Sequence, residues 1–449
     1  MSERISNHVK NLGLESRAIV VGDGLLDEFV RPVHSLDVAV DSDTYRQHRE
    51  LHDWHEVQTQ DGRNVLTRGD QTMSIGWGDA TAEELGERGF IEQGVRYAGL
   101  PDVYSWKQQA GHEQDLDDLA LLRERLYDRP LPLAMIHRER AYIDEIKPLD
   151  LPDHAALAVA ANGLYVVRTI FGDKNHRVHT YSGSVETGDV LAGYHEYWHS
   201  AGGAERVARH ITKVNQGRLA VGQSVLFTPA DSYAAIAGFA YHDSRMGDGR
   251  QSTNPDGFDE LRAAQMAARH LELAGCTDDD MPRKSYNGIR ATGFNEATKS
   301  QDIDPSRGDE HIQVALAGTD LGTFAEPGFA LETIHLTIED LTRIGAGFDR
   351  PLGKKIKALG TPVTTIPQAL AIIDTDPALV QDFAKRLAGS AGFCKSYTYN
   401  PQWTLDRPGL RTQNADFIKN LADALAQGRM NATEAYAQAT AFVERMQTL

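Results

Sequence analysis

Short apolar runs bounded by polar and glycine-bearing segments fill the first third of the chain, and helical spacing takes over later. Ala18-Ile-Val-Val21 and Leu36-Asp-Val-Ala-Val40 have the length and character of strands and are joined through a segment containing Gly22-Asp-Gly24. Val65-Leu66 and Met73-Ser-Ile-Gly-Trp77 are further strand candidates. Leu116, Leu119, Leu122 and Leu126 recur at the spacing of one helix face, which predicts a helix from Leu116 to Tyr127. Arg129-Pro-Leu-Pro132 then breaks the pattern. Pro148 and Pro152 flank Leu149-Asp-Leu151 and favour an extended link, because a proline disfavours helical geometry in the residue before it; a domain boundary is expected near residue 150.

From about Ala201 the pattern is helical almost throughout. Gly202-Gly203 are expected to precede a helix carrying Val207, Ile211 and Val214 on one face. The run Ala234-Ala-Ile-Ala-Gly-Phe-Ala-Tyr241 reads as a buried helix ending at His242-Asp243. Phe258 to Ala274 carries Leu261, Ala264, Ala268 and Leu271, with Gly275 as its C-terminal cap. Pro367–Gly389 and Thr412–Leu449 read as more helix, interrupted around Lys395 to Arg411. The expected fold class is α+β: an α/β domain over residues 1–150, an all-helical domain over 151–360, and a helical extension over 361–449. The extension carries no chemical motif, and packing or homo-oligomer contact is its default use.

Composition narrows the chemistry. Across 449 residues, 41% are hydrophobic and 24% charged, the balance of a globular protein. The apolar runs stop well short of the about eighteen residues a spanning helix needs, so no membrane partner is expected. Met1 to Lys10 is polar and does not read as a signal peptide, which makes the cytoplasm the default compartment. With two cysteines, Cys276 and Cys394, in unrelated contexts, any metal must be held by His, Asp and Glu. A net charge of -18 disfavours nucleic-acid phosphates and leaves small molecules as the partner class.

An imidazole and a carboxylate side by side at a helix end, as in His242-Asp243, can reach one divalent cation if other helices bring further ligands. His210, in Glu205-Arg-Val-Ala-Arg-His-Ile-Thr-Lys-Val214, and Asp320, in Ala317-Gly-Thr-Asp-Leu321, are the candidates to do so. The order His, His-Asp, Asp resembles the HD superfamily of metal-dependent phosphohydrolases. Asn254-Pro-Asp-Gly-Phe-Asp-Glu-Leu-Arg-Ala-Ala264 looks like the Glu-Arg helix of one branch, and Ile289-Arg-Ala-Thr292 and Thr319-Asp-Leu321 look like its later segments; Gly293 stands where that branch often has His. Tyr194-His-Glu-Tyr-Trp-His199 resembles the branch's opening, so His199 competes with His210 as first ligand. His210 is preferred for its place in a helix and its distance from His242. The resemblance implies a divalent ion (Mn, Fe, Ni, Co, Zn or Mg) on His210, His242, Asp243 and Asp320, and hydrolysis of a small phosphorylated molecule, a nucleotide among the options. Glu260 and Asp243 are then the catalytic carboxylates, and Arg245, Arg262 and Lys284 the candidates to meet phosphate.

The segment Val20 to Val40, with Gly99-Leu-Pro-Asp-Val-Tyr-Ser-Trp-Lys107 and Asp115-Leu-Asp-Asp-Leu-Ala-Leu-Leu-Arg-Glu124, resembles the nucleotidyltransferase fold. Nucleotidyl transfer needs two or three carboxylates to hold paired Mg ions. Here Ser35 stands in the first place of the pair, Asp37 remains, and Met73 to Trp77 adds none, so the domain is expected to bind a nucleotide or a protein without transfer. The alternatives are therefore a nucleotidyltransferase with a regulatory HD domain and a non-catalytic nucleotide-binding module. His176 and His179 on a polar segment are expected to be surface residues. No phosphate loop and no nucleophile elbow occurs.

Overall fold

The computed structural model describes residues 3–26, 35–59, 62–78, 80–110, 113–171, 180–182, 189–191, 197–245, 258–295, 300–322, 324, 328–342, 344–345, 348–359, 363, 365–396 and 409–448. The chain is a mixed α+β protein of two compact units, Met1–Arg138 and Glu139–Leu449, with a seven-stranded sheet in the first and mostly helices in the second.

The first unit runs α1 (Glu3–Asn11), β1 (Ala18–Val21), α2 (Gly22–Leu26), β2 (Leu36–Val40), α3 (Ser42–Arg49), β3 (His55–Gln58), β4 (Asn64–Arg68), β5 (Gln71–Ile75), α4 (Ala82–Arg88), β6 (Phe90–Glu92), β7 (Val95–Tyr97), α5 (Leu100–Ala110) and α6 (Glu113–Asp128). The sheet order is β3-β4-β5-β2-β1-β7-β6. β2 pairs parallel with β5 and β1 parallel with β7, while the other pairs are antiparallel. Central β1 is buried at every position, which is why Ala18 to Val21 shows no polar alternation; the edge strand β3 is exposed throughout. Asp41 caps α3, and Thr81 with Glu84 forms a capping box on α4. The expected helix at Leu116 to Tyr127 lies inside α6, with Leu119, Leu122 and Leu126 buried and Leu116 exposed.

In the second unit α7 (His137–Ile146), which starts at the division, is followed by α8 (Ala155–Phe171), β8 (Thr180–Ser182), β9 (Asp189–Leu191), α9 (Tyr197–Ala220), α10 (Pro229–Tyr241), α11 (Phe258–Leu273) and α12 (Met281–Thr292). Then come β10 (Phe294–Asn295), β11 (Ser300–Gln301), α13 (Glu310–Gly322), α14 (Phe329–Thr342), β12 (Ile344–Gly345), β13 (Phe348–Asp349), α15 (Pro351–Leu359), α16 (Ile366–Asp374), α17 (Pro377–Ser396), α18 (Leu410–Ala426) and α19 (Ala432–Thr448). Helices α8 and α10 are buried on nearly all sides and form the centre on which α9, α11, α12 and α13 pack. Gly275, at φ +74°, caps α11: the Cys276 amide donates to the Leu271 carbonyl at 2.9 Å, the bond of a Schellman ending.

Three expectations need correction. The units divide after Arg138 rather than at 150, because α7 belongs with the helices: Glu139, buried in its first turn, pairs with Arg168 of α8 at 2.8 Å. Residue 360 marks no break, since one apolar core runs from Leu321 and α14 through to Ala439 of α19. The region 151–360 is not all-helical either. The strands β8, β9, β12 and β13 form a small sheet, and β10 pairs with β11. The expected interruption at Lys395–Arg411 falls largely on residues 397–408, outside the described residues.

Candidate metal centre

The site is built at the C-terminal end of α10. Thr228 and Asp231 form a capping box at the start of that helix, with Pro229 at its first position. Thirteen residues after Pro229, His242 is the C-cap. Its Nδ1 lies 2.7 Å from the Phe239 carbonyl oxygen. A carbonyl only accepts, so Nδ1 carries the proton, and the lone pair of the neutral ring sits on Nε2. His242 Nε2 is buried and makes no hydrogen bond among the described residues. Fixing one ring nitrogen on a backbone carbonyl while the other faces a cluster is how proteins orient a metal-binding imidazole.

Two sets of glycines let neighbouring helices approach closely enough to complete the cluster. A Cβ on Gly203 of α9 would lie 1.7 Å from Cε1 of Phe239, so the aromatic ring occupies the space where a side chain would stand. The same ring lies against His242, with centroids 4.1 Å apart. One turn before Gly203 is His199. On the other side Leu316 of α13 enters a notch formed by Gly238 of α10 and Gly288 of α12, where added Cβ atoms would meet its Cδ2 at 2.9 and 2.8 Å. One turn after Leu316 is Asp320, whose Oδ2 accepts a hydrogen bond from Gln301 Nε2 of β11 at 3.3 Å.

His199, His242 and Asp320 thus come together, with one ligand atom from each lying within 4.8 Å of the others, a set that could hold a metal ion. Asp243 joins them: its Oδ2 is 3.0 Å from His242 Nε2 and 3.2 Å from His199 Nε2. Asp320 Oδ1 is 3.7 Å from His199 Nε2 and 3.8 Å from His242 Nε2. Burial opposes protonation of His199, but the Asp243 and Asp320 carboxylates outweigh it and raise the imidazole to about 9. The donors fit a first-row transition metal: imidazole nitrogens mixed with carboxylate oxygens suit Mn, Fe, Co, Ni or Zn better than Ca, and His242 Nε2 is an atom such an ion would take. Glu260, in the first turn of α11, completes the surroundings. Burial, and after it the negative charge of Asp259, Asp243 and Asp320, pushes its carboxyl up to about 7 against an opposing backbone hydrogen bond.

Comparison of the chain with protein-family models, curated proteins and solved structures gave no match. The expected site residues fall into two groups. His242, Asp243 and Asp320 converge, Glu260 interacts electrostatically with both carboxylates, and Arg245 is buried in the turn two residues after Asp243. His210 does not join them, and His199 takes its place. The two histidines lie eleven residues apart on α9, nearly the same face but about 16 Å along the axis. Lys284 is drawn off as well: it pairs with Asp231 at 2.7 Å, at the opposite end of α10 from His242. Arg262 is exposed on α11. Gln301, which steadies Asp320, carried no sequence signal, being a single amide on a two-residue strand. Gly202-Gly203 do not precede α9; the helix already begins at Tyr197, which is what gives His199 a helical position. Residues 194–196 and 254–257 of the two motif segments, and both His176 and His179, lie outside the described residues.

In the first unit Asp37 is partly buried on β2, with its Oδ2 2.9 Å from the position a Cβ on Gly22 would take. The Trp77 ring fills the same space, at 2.6 Å, and packs on Trp106 with centroids 4.6 Å apart. Asp115 and Asp118, at the start of α6, are buried. They flank the buried Lys107 amine at 2.7 and 2.9 Å, and Asp117 alone of the three is exposed. Among the described residues no helix is long and apolar enough to cross a membrane.

Proposed function

We propose that the chain is a divalent-metal-dependent phosphohydrolase acting on a small phosphate ester, a nucleotide among the substrates to test, at the junction of α9, α10 and α13. The observation that carries this is the convergence of His199, His242, Asp243 and Asp320, with His242 held by the Phe239 carbonyl so that its lone pair faces the cluster. A bound divalent ion would supply polarisation of a phosphoryl oxygen and a lowered pKa for water.

The protein side of the reaction follows from the neighbours. Glu260, whose carboxyl is raised by burial to about 7, is the group to take the proton of an attacking water. Arg245, buried immediately beyond Asp243, is the cation to hold the phosphate. Gln301 and Phe239 act through other groups, the first by fixing the Asp320 carboxylate and the second by orienting His242. Metal analysis of the purified chain, with a screen of phosphorylated metabolites in Mn, Ni, Co and Mg, tests the proposal. Bound metal and a turnover that needs Glu260 are expected; Glu260→Gln should keep the metal and lose turnover by about a hundredfold or more. A His242→Ala/Asp243→Ala chain that kept both metal and activity would refute it.

A further inference from the structure

His210, left out of the metal cluster, lines a different feature. From Thr212 on the residues of α9 are half-buried or exposed, and the segment after the helix, Val221 to Thr228, folds back. Asn215 holds that segment: its Oδ1 accepts from the Leu226 and Phe227 amides at 3.0 Å and its Nδ2 donates to the Phe227 carbonyl at 2.8 Å. Arg218 Nε donates to the Ser224 carbonyl at 2.8 Å. Between helix and returning segment lies a pocket of about 280 Å³ lined by His210, Lys213, Val214, Gly217, Arg218, Val221 and Gln223.

The lining is unusual for this chain. The protein carries a net charge of -18, yet the pocket has two cations and no carboxylate, and neither Lys213 nor Arg218 makes an ion pair among the described residues. Gly217 stands one turn after Lys213, and a Cβ there would meet no atom within 4 Å, so the lining is open at this point. Beside them, Val214 and Val221 give an apolar wall, and Val221 is 70% exposed. Burial, and after it the charge of Lys213, lowers the His210 imidazole to about 4, so at neutral pH it adds no charge to the pocket. Two cations, one of them able to bind in the bidentate manner of a guanidinium, match the oxygens of a phosphate better than a single carboxylate.

We propose that this pocket is a second binding site, for a small phosphate monoester whose apolar body lies on Val214 and Val221 while Lys213 and Arg218 hold its phosphate. Its nearest lining residue, His210, stands about 16 Å along α9 from His199, and Lys213 and Arg218 stand about 21 and 28 Å away, so the site does not depend on the metal cluster. The test uses the full chain in EDTA, so that no turnover intervenes, with calorimetric titration of phenyl phosphate and of inorganic phosphate. Phenyl phosphate should bind, inorganic phosphate should bind more weakly, and Lys213→Glu, at an exposed position, should weaken binding at least tenfold. His242→Ala should leave it unchanged, which separates this site from the cluster whatever the cluster does. The proposal is overturned if the wild-type chain binds neither probe, if Lys213→Glu binds phenyl phosphate as well as wild type, if His242→Ala abolishes binding, or if the phenyl ring adds nothing.

Discussion

Gly203 and its neighbour Gly202 give the sharpest check on how the metal cluster is assembled, because the same substitution should act oppositely at the two. Both sit inside α9, where replacing glycine by alanine normally gains about 1 kcal/mol. At Gly202 the new methyl would meet the end of a flexible side chain, Arg206 Nη1, at 3.5 Å, so the gain should be realised. At Gly203 it would lie 1.7 Å from Phe239 Cε1, and ordinary contact of about 3.5–4.0 Å requires the ring or the helix to retreat by about 2 Å. Phe239 is fully buried and cannot swing into solvent. Overpacking of this kind costs about 1–3 kcal/mol or more, so Gly203→Ala should be net destabilising by about 2 kcal/mol despite its better helix propensity. A retreat of α9 also carries His199, one turn away, out of reach of His242 and Asp320, and Mn affinity should fall at least tenfold. Urea denaturation and Mn titration of the two single variants measure both effects. If Gly203→Ala unfolds at the wild-type denaturant concentration and binds Mn as tightly as Gly202→Ala, the close approach of α9 to α10 does not set the cluster.

Other outcomes follow from the same geometry. His199→Ala should strip metal from the purified chain while His210→Ala leaves the metal content at the wild-type level; the reverse result would restore the ligand set read from sequence. Lys107→Ala leaves two buried carboxylates facing each other in the first unit and should destabilise it by about 3–5 kcal/mol, read as a lowered denaturation midpoint for sheet signals, and an unchanged midpoint would contradict the buried pairing. Burial alone would raise the Asp231 carboxyl, but hydrogen bonds from His311, Lys284 and Thr228 outweigh it and hold it well below its usual 3.8. A depressed carboxyl stabilises the fold above its unfolded value and loses that stabilisation as pH falls below about 4 toward its folded value. Asp231→Asn should accordingly flatten the acid limb of the stability curve below pH 4 while lowering stability at pH 7; an unaltered slope would show that the Lys284 and His311 contacts carry no linkage.

How much of this was legible in the sequence depends on whether a feature is local. The strands at Ala18 to Val21 and Leu36 to Val40, the helix face at Leu116 to Tyr127 and the Gly275 cap are each set by residues within one turn or one strand of themselves, and they appear where the pattern puts them. Helix α8 has fourteen buried positions out of seventeen and therefore no polar face to give it a period, so it left no amphipathic signal. The short strands β8 to β13 have the same difficulty in another form: two or three residues carry no alternation, and the pairing of β9 with β12 joins segments far apart in the chain. The division near Arg138 was displaced to the prolines at 148 and 152 because a chain break and a domain boundary share the same residues. What fixes the boundary is the buried Glu139–Arg168 pair, a contact between two helices.

The exchange of His210 for His199 has the same origin. Helical periodicity reports the angle around an axis and is blind to position along it; eleven residues amount to just over three whole turns, so both histidines satisfy the same pattern. Which of them meets His242 is decided by where α9 touches α10, and that point is marked by a glycine. Gly203 stands one turn from His199 and nearly two from His210, and it admits the ring of Phe239, whose own carbonyl orients His242. Leu316 plays the matching part for Asp320 through Gly238 and Gly288. In this chain the glycines within helices, read at first as a helix start or not at all, carry the information about depth that the His and Asp residues lack. A ligand set inferred from spacing is therefore better placed when each candidate is paired with the nearest small residue on its own helix face.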